Sequence, residues 1–145
     1  MSSPTPRPMS AETQELLRRP NYAHLATLRP DGSPKMDPIW VQVEDDTTIL
    51  MTTSRTSPKT RNILADPRVA LSVIDADDPY EHAQIEGLVT VEKDREMATK
   101  DEMSVKYTSA PFPMRDDDDN RVVLRMTVTY SRYATMPLQH RPQEA

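Results

Sequence analysis

The sequence predicts a mainly β fold with short helices, in which six strands make a closed or nearly closed antiparallel barrel. Short runs of Val, Ile, Leu and Met alternate with polar residues, the pattern of strands that bury one face. Turn-forming residues separate most of these runs by only a few positions, which favours hairpins over long crossovers. Closure removes the exposed edges that such a sheet otherwise presents, although a sandwich satisfies the same pattern. With 145 residues the chain has the size of one compact domain, able to bury roughly two thirds of the surface its unfolded form exposes.

The elements follow in order. Residues 1–9 contain three prolines and three Ser or Thr residues, and residues 139–145 are similarly polar, so both read as flexible tails around a single domain at 10–138. Ser10, Glu12 and the pair Leu16 and Leu17 spell a capped short helix with acid in its first turn, stopped by Pro20. Residues 22–29 are extended, Pro30, Asp31 and Gly32 form a turn, and residues 35–43 resume as the second arm of a hairpin. A polar turn at 44–46 leads into a third strand at 47–53, rich in Thr, Ile and Leu. Ser57 then offers an N-cap and Pro58 the first helical position, with Ile63 and Leu64 as an apolar patch and Asp66 and Pro67 as the stop. Val69, Leu71 and Val73 give a strand at 68–75, and an acidic loop at 75–79 precedes another at 82–93. Gly87 inside that strand signals a bulge or a close backbone approach. Residues 94–107 read as a helix with a loose stripe of Met97, Met103, Val105 and Tyr107. A solvated loop carries Pro111, Pro113 and the run Asp116, Asp117, Asp118 and Asp119, and the last strand runs over 121–130, with an extension to 134.

Composition narrows the function. Two glycines in the whole chain spell neither a dinucleotide loop nor a P-loop. Without cysteine there is no disulfide framework, thiolate nucleophile or Cys-rich zinc site, and the cytoplasm is the default compartment. No apolar run approaches the roughly 20 residues that span a bilayer, so neither a membrane segment nor a secretory signal is expected. A formal charge of −5 opposes general binding to nucleic acid while leaving room for a local basic patch. His24, His82 and His140 lack metal-ligand spacing, so no metal is expected. The acidic run lacks the alternating ligands of a calcium loop and reads as solvated.

The densest polar constellation is Thr52, Thr53, Ser54, Arg55, Ser57, Lys59, Arg61 and Asn62, from the end of strand three into the next helix. Backbone N–H groups and the positive end of the helix suit an anion, with Lys59 and Arg61 adding charge and the hydroxyls adding neutral hydrogen bonds. A solvated, capped helix with surface cations accounts for the same residues equally well.

Residues 22–93 decide between these readings by resemblance. The segments LATLRPDGSPKMDPIWV, TTSRTSPKTRNILADPRVALSV and DPYEHAQIEGLVTVE, which together span about half of the chain, resemble flavin and deazaflavin oxidoreductases with a pyridoxamine 5'-phosphate oxidase-like split β-barrel. The likeness is greatest to the actinobacterial branch that uses coenzyme F420. It implies a six-stranded split barrel of the FMN-binding type and a homodimer with cofactor sites at its interface. It further implies that Lys59, Arg61 and Asn62, then Arg55 and Ser57, hold the cofactor phosphate. Pro38, Ile39 and Trp40 shape the ring pocket, and Lys35 joins Arg55, Lys59 and Arg61 in suiting the longer acidic tail of F420. The expected activity is hydride transfer from reduced F420 to a conjugated organic acceptor, the cofactor supplying the chemistry and solvent the proton. FMN in place of F420, and a non-catalytic flavin- or haem-binding barrel, are the alternatives. No catalytic side chain is singled out; Tyr80 either closes the pocket or packs, and His82 is read as an ordinary exposed or core-edge histidine in preference to one near the ring. The resemblance fades after Lys93.

Overall fold

The computed structural model describes residues 5–116 and 120–144. Its elements are α1 (Ala11–Arg18), β1 (Ala23–Leu28), β2 (Pro34–Ile39), β3 (Gln42–Asp45), β4 (Thr48–Ser54), α2 (Pro58–Ala65), β5 (Arg68–Ile74), β6 (His82–Lys93), α3 (Ala98–Thr108) and β7 (Arg121–Ala134). The strands form one sheet in the order β2-β1-β5-β6-β7-β4-β3, with every neighbouring pair antiparallel. Its two edges, β2 and β3, are consecutive in the chain and joined through Trp40 and Val41. The ends of the sheet therefore come together through two residues of covalent backbone with no ladder between them, which makes the fold a split β-barrel.

That junction corrects the expected strand at 35–43 and raises the strand count from six to seven. Val41 is fully buried, and its backbone groups are satisfied from outside the sheet. Its N–H donates to Tyr107 Oη at 3.2 Å and its carbonyl accepts from Lys106 Nζ at 2.7 Å. Since a buried peptide group needs some partner but not a particular one, α3 can break the strand without an unsatisfied polar group. The alternating pattern of residues carries no trace of that distant helix.

Inward-facing Val69, Leu71 and Val73 of β5 meet Ala83, Ile85 and Val89 of β6 and Leu124, Met126 and Val128 of β7 in the barrel core. The opposite face of β4 and β7 is covered by α3, where Leu50, Val123 and Met103 form a second cluster with Trp40 packed against it. Gly87 fits the expectation of a close approach: a Cβ there lies 2.2 Å from the Thr127 carbonyl oxygen, and the β6–β7 register shifts between Glu86 and Gly87.

Both predicted caps form. Ser10 Oγ accepts the Thr13 N–H at 3.1 Å, and Ser57 Oγ accepts the Thr60 N–H at 3.3 Å. Leu16 and Leu17 of α1 enter the barrel core. Arg7 and Met9, expected in a flexible tail, are held to the sheet: Met9 is 3 % exposed within that core, and the N–H groups of Arg7 and Met9 donate to the Val128 and Asp46 carbonyls. The helix expected at 94–107 begins with a 3₁₀ turn, Arg95–Met97, in which Glu96 and Met97 have φ of 56° and 58°. Asp94 then caps α3 with both carboxylate oxygens, accepting the N–H groups of Thr99 and Lys100 at 3.0 and 2.9 Å. Among the described residues no helix is long and apolar enough to cross a membrane.

Candidate functional site

A cavity of about 300 Å³ opens where β2, β4, α2, α3 and β7 converge. The end of β2 and the junction after it supply Pro38, Ile39 and Trp40, and β4 supplies Thr52 and Thr53. Lys59 enters from the first turn of α2, Lys100 from the first turn of α3, and Arg121 from the start of β7, with Tyr22 at the rim. Three cations thus line a cavity with no carboxylate among its lining residues.

The charges tell in the acid–base behaviour of the lysines. Burial lowers the pKa of Lys59, opposed by Asp37 and reinforced by Lys35. Lys100 is brought down to about 8, chiefly by burial and then by Arg121, with Asp94 pulling the other way and Lys59 adding to the fall. Arg121 and Lys59 thus both disfavour the charged form of Lys100, a cost that a bound anion would offset. The Thr52 side chain is 5 % exposed and its buried hydroxyl has no hydrogen-bond partner among the described residues. Trp40 stacks on Tyr107, with ring centroids 5.1 Å apart and planes 5° from parallel, and Lys100 Nζ lies 4.7 Å from the Trp40 ring centroid. The stack fixes the tryptophan as a flat wall.

A second cavity of about 350 Å³ is lined by Arg29, Pro30, Lys35, Pro58, Arg61 and Asn62. Lys35 Nζ meets both Asp37 oxygens at 2.7 Å. Successive positions in α2 divide between the two spaces, because neighbouring side chains on a helix point about 100° apart.

The residues expected to bind cofactor therefore separate into groups. Thr52, Thr53, Lys59, Pro38, Ile39 and Trp40 share the first cavity, and Lys35, Arg61 and Asn62 the second. Asn62 Nδ2 also donates to Thr27 Oγ1 at 3.0 Å in a buried hydrogen bond between helix and sheet. Ser54, Arg55 and Ser57 line neither cavity. Ser57 is the α2 cap and also accepts from the Thr53 hydroxyl, while the Ser54 carbonyl accepts from Thr60. Tyr80, too, is outside both spaces; its carbonyl accepts the Met136 N–H. No group of His, Asp or Glu among the described residues could hold a metal ion. Of the acidic run, residues 117–119 lie outside the described residues.

Tyr22, Lys100 and Arg121 belong to the first cavity and were not singled out by sequence. Lys100 and Arg121 lie beyond Lys93, in a region without recognisable motifs. A lysine in the first turn of a helix, where it opposes the macrodipole, was the one local signal.

A family model described as pyridoxamine 5'-phosphate oxidase matches residues 9–134. A solved structure described as an F420 reductase shares 34 % identity, covering 86 % of this chain and 98 % of its own, with a TM-score of 0.78. A conserved hypothetical protein from Mycobacterium tuberculosis is 24 % identical over 99 % of this chain and 98 % of its own, with a TM-score of 0.76. General Stress Protein 26 from Bacillus anthracis is 21 % identical over 85 % and 91 %, with a TM-score of 0.67. These last two show the shared fold alone. Curated proteins give no significant match.

Proposed function

The chain belongs to the pyridoxamine 5'-phosphate oxidase family, and from that membership we propose that it is an oxidoreductase dependent on coenzyme F420, passing hydride from the reduced deazaflavin to a conjugated organic acceptor. The observation that carries the reading is the first cavity, where cations and a fixed aromatic wall meet without a carboxylate. Its likeness at 34 % identity to a protein described as an F420 reductase favours F420 over FMN.

Bound F420 supplies the hydride. Lys59 gives the phosphate a charge-assisted hydrogen bond at the positive end of α2. Trp40, held by Tyr107, and Ile39 keep the ring side of the site apolar and exclude water. The second cavity, with Arg29, Lys35 and Arg61, suits the acidic tail that distinguishes F420 from FMN. We further propose a homodimer in which the partner completes the site. Both cavities are open, and the outward face of β1, β2 and β5 carries small Ala26, Ala70 and Ser72 beside Met36, which is 57 % exposed.

Fluorescence titration tests the assignment. F420 is expected to bind more tightly than FMN, and Lys59→Ala to weaken both by about ten- to a hundredfold, the loss of one charge-assisted hydrogen bond. Arg61→Ala should weaken F420 and spare FMN. Equal or tighter binding of FMN to the native protein rejects the coenzyme assignment.

A further inference from the structure

Lys100 is more than a filler of the first cavity. Its ammonium lies 4.7 Å from the centre of the Trp40 ring and 4.4 Å from that of Phe112, and it forms no ion pair among the described residues. The charged groups around it are Lys59, Arg121 and Asp94, with Tyr22 also at the cavity. Asp94 is 2 % exposed and already accepts two backbone N–H groups of α3. Two consecutive non-glycine residues with positive φ, Glu96 and Met97, set the start of α3. Such strain persists where the surrounding structure requires it, and it clusters at functional sites. The cation also stands in the first turn of its helix, against the macrodipole. Partial burial, like charge and the opposing macrodipole are separate costs at the Lys100 ammonium, and an anion beside it offsets them.

From this arrangement we infer that Lys100 binds the carboxylate of a planar conjugated acid, which is the acceptor class this site takes. The cavity matches both parts of such a molecule. The flat Tyr22 side chain at the rim offers π surface to the conjugated portion, and Lys100 takes the charge. Lys59, from α2, is left for the cofactor. A neutral acceptor of the same shape loses the charge-assisted contacts and binds weakly. The inference deepens the oxidoreductase reading by naming its substrate class and rests on that reading for the word acceptor.

The test is calorimetric titration of the full chain with trans-cinnamate and with neutral cinnamamide, before and after saturation with oxidised F420. Cinnamate binding should weaken by about tenfold or more in Lys100→Met and recover in Lys100→Arg, while the amide binds all three proteins equally. In the native protein cinnamate affinity should fall as pH rises through about 8, and Lys100→Arg should abolish that fall. F420 affinity should change by less than about threefold in Lys100→Met, in contrast to Lys59→Ala. Undiminished cinnamate binding by Lys100→Met overturns the inference. So does an F420 loss in Lys100→Met as large as that in Lys59→Ala, which places Lys100 on the cofactor. If F420 fails to bind but cinnamate still requires Lys100, the coenzyme assignment falls and the anion site stands.

Discussion

Thr52 shows the tension between stability and binding in a single side chain. Its hydroxyl is buried at the cavity wall without a partner among the described residues, a condition that costs about 1–3 kcal/mol relative to a satisfied group. Replacing the hydroxyl with a methyl group removes the cost and keeps the shape. Thr52→Val is therefore expected to stabilise the protein without ligand by about 1 kcal/mol, seen as a higher midpoint in urea unfolding, and to weaken F420 binding in the same preparation. A variant that gains stability with unchanged F420 affinity would show that the hydroxyl makes no contact with the cofactor. Trp40 stands in contrast: its place in the cavity wall beside Pro38 and Ile39 agrees with the family resemblance, but the parallel stack on Tyr107 was not legible, since 67 residues of chain separate the two.

Among the elements, α3 does the most to turn a family barrel into this site. It carries Lys100 to the cavity, and Lys106 and Tyr107 to the split in the barrel. Lys106 Nζ donates to the Leu17 and Val41 carbonyls, and Tyr107 Oη donates to the Asn21 carbonyl at 2.7 Å. The helix thus ties the end of α1 to the junction between β2 and β3. Burial brings Lys106 down to about 8, alongside Lys100. In the unfolded chain both lysines titrate near 10.5, so between about pH 8 and 10 the unfolded state holds protons that the folded state has released. Stability must then rise with pH over that window. The tyrosines act in the opposite sense above pH 10. Burial raises Tyr107, and the hydrogen bond to Glu81 pushes Tyr133 up to about 12, so unfolded tyrosines lose their protons first and stability falls. The expected outcome is a melting temperature, followed by circular dichroism, that increases from pH 7.5 to 9.5 (about two units) and then declines. Lys106→Met should flatten the rise. A native protein whose melting temperature falls steadily across this range contradicts the account.

At the scale of the whole molecule, the sheet order decides what lies beside what. Because β4 neighbours β7, Thr52 pairs with Val123 and the hydroxyl-rich end of β4 meets the start of β7, where Arg121 pairs with Ser54. The same order leaves β1 and β5 adjacent, with Ala26 paired to Ala70, in the outer face proposed to receive a second copy. Dimer formation through this face should be visible by sedimentation at micromolar concentration. Met36→Glu should dissociate the dimer and weaken F420 binding together, because a charge is buried against apolar surface. Monomeric native protein with full cofactor affinity rejects the dimeric site.

The sequence by itself determined the elements whose causes are local. Both N-caps, the Pro30, Asp31 and Gly32 turn, the alternation of β5, and the glycine that β6 needs against β7 are written in adjacent residues, where sterics and short-range hydrogen bonds act. The family resemblance, carried by the segments within residues 22–93, implied that Lys59 and Trp40 serve one site, and both line the first cavity. Tertiary structure alone decided that a strand breaks at Val41, because a lysine and a tyrosine some 65 residues away satisfy its peptide groups. It alone divided Lys59 from Arg61 between two cavities and brought Lys100 and Arg121 to the first. Burial and like-charge repulsion depend on distance through space, and the chain becomes a site only when the sheet has set those distances.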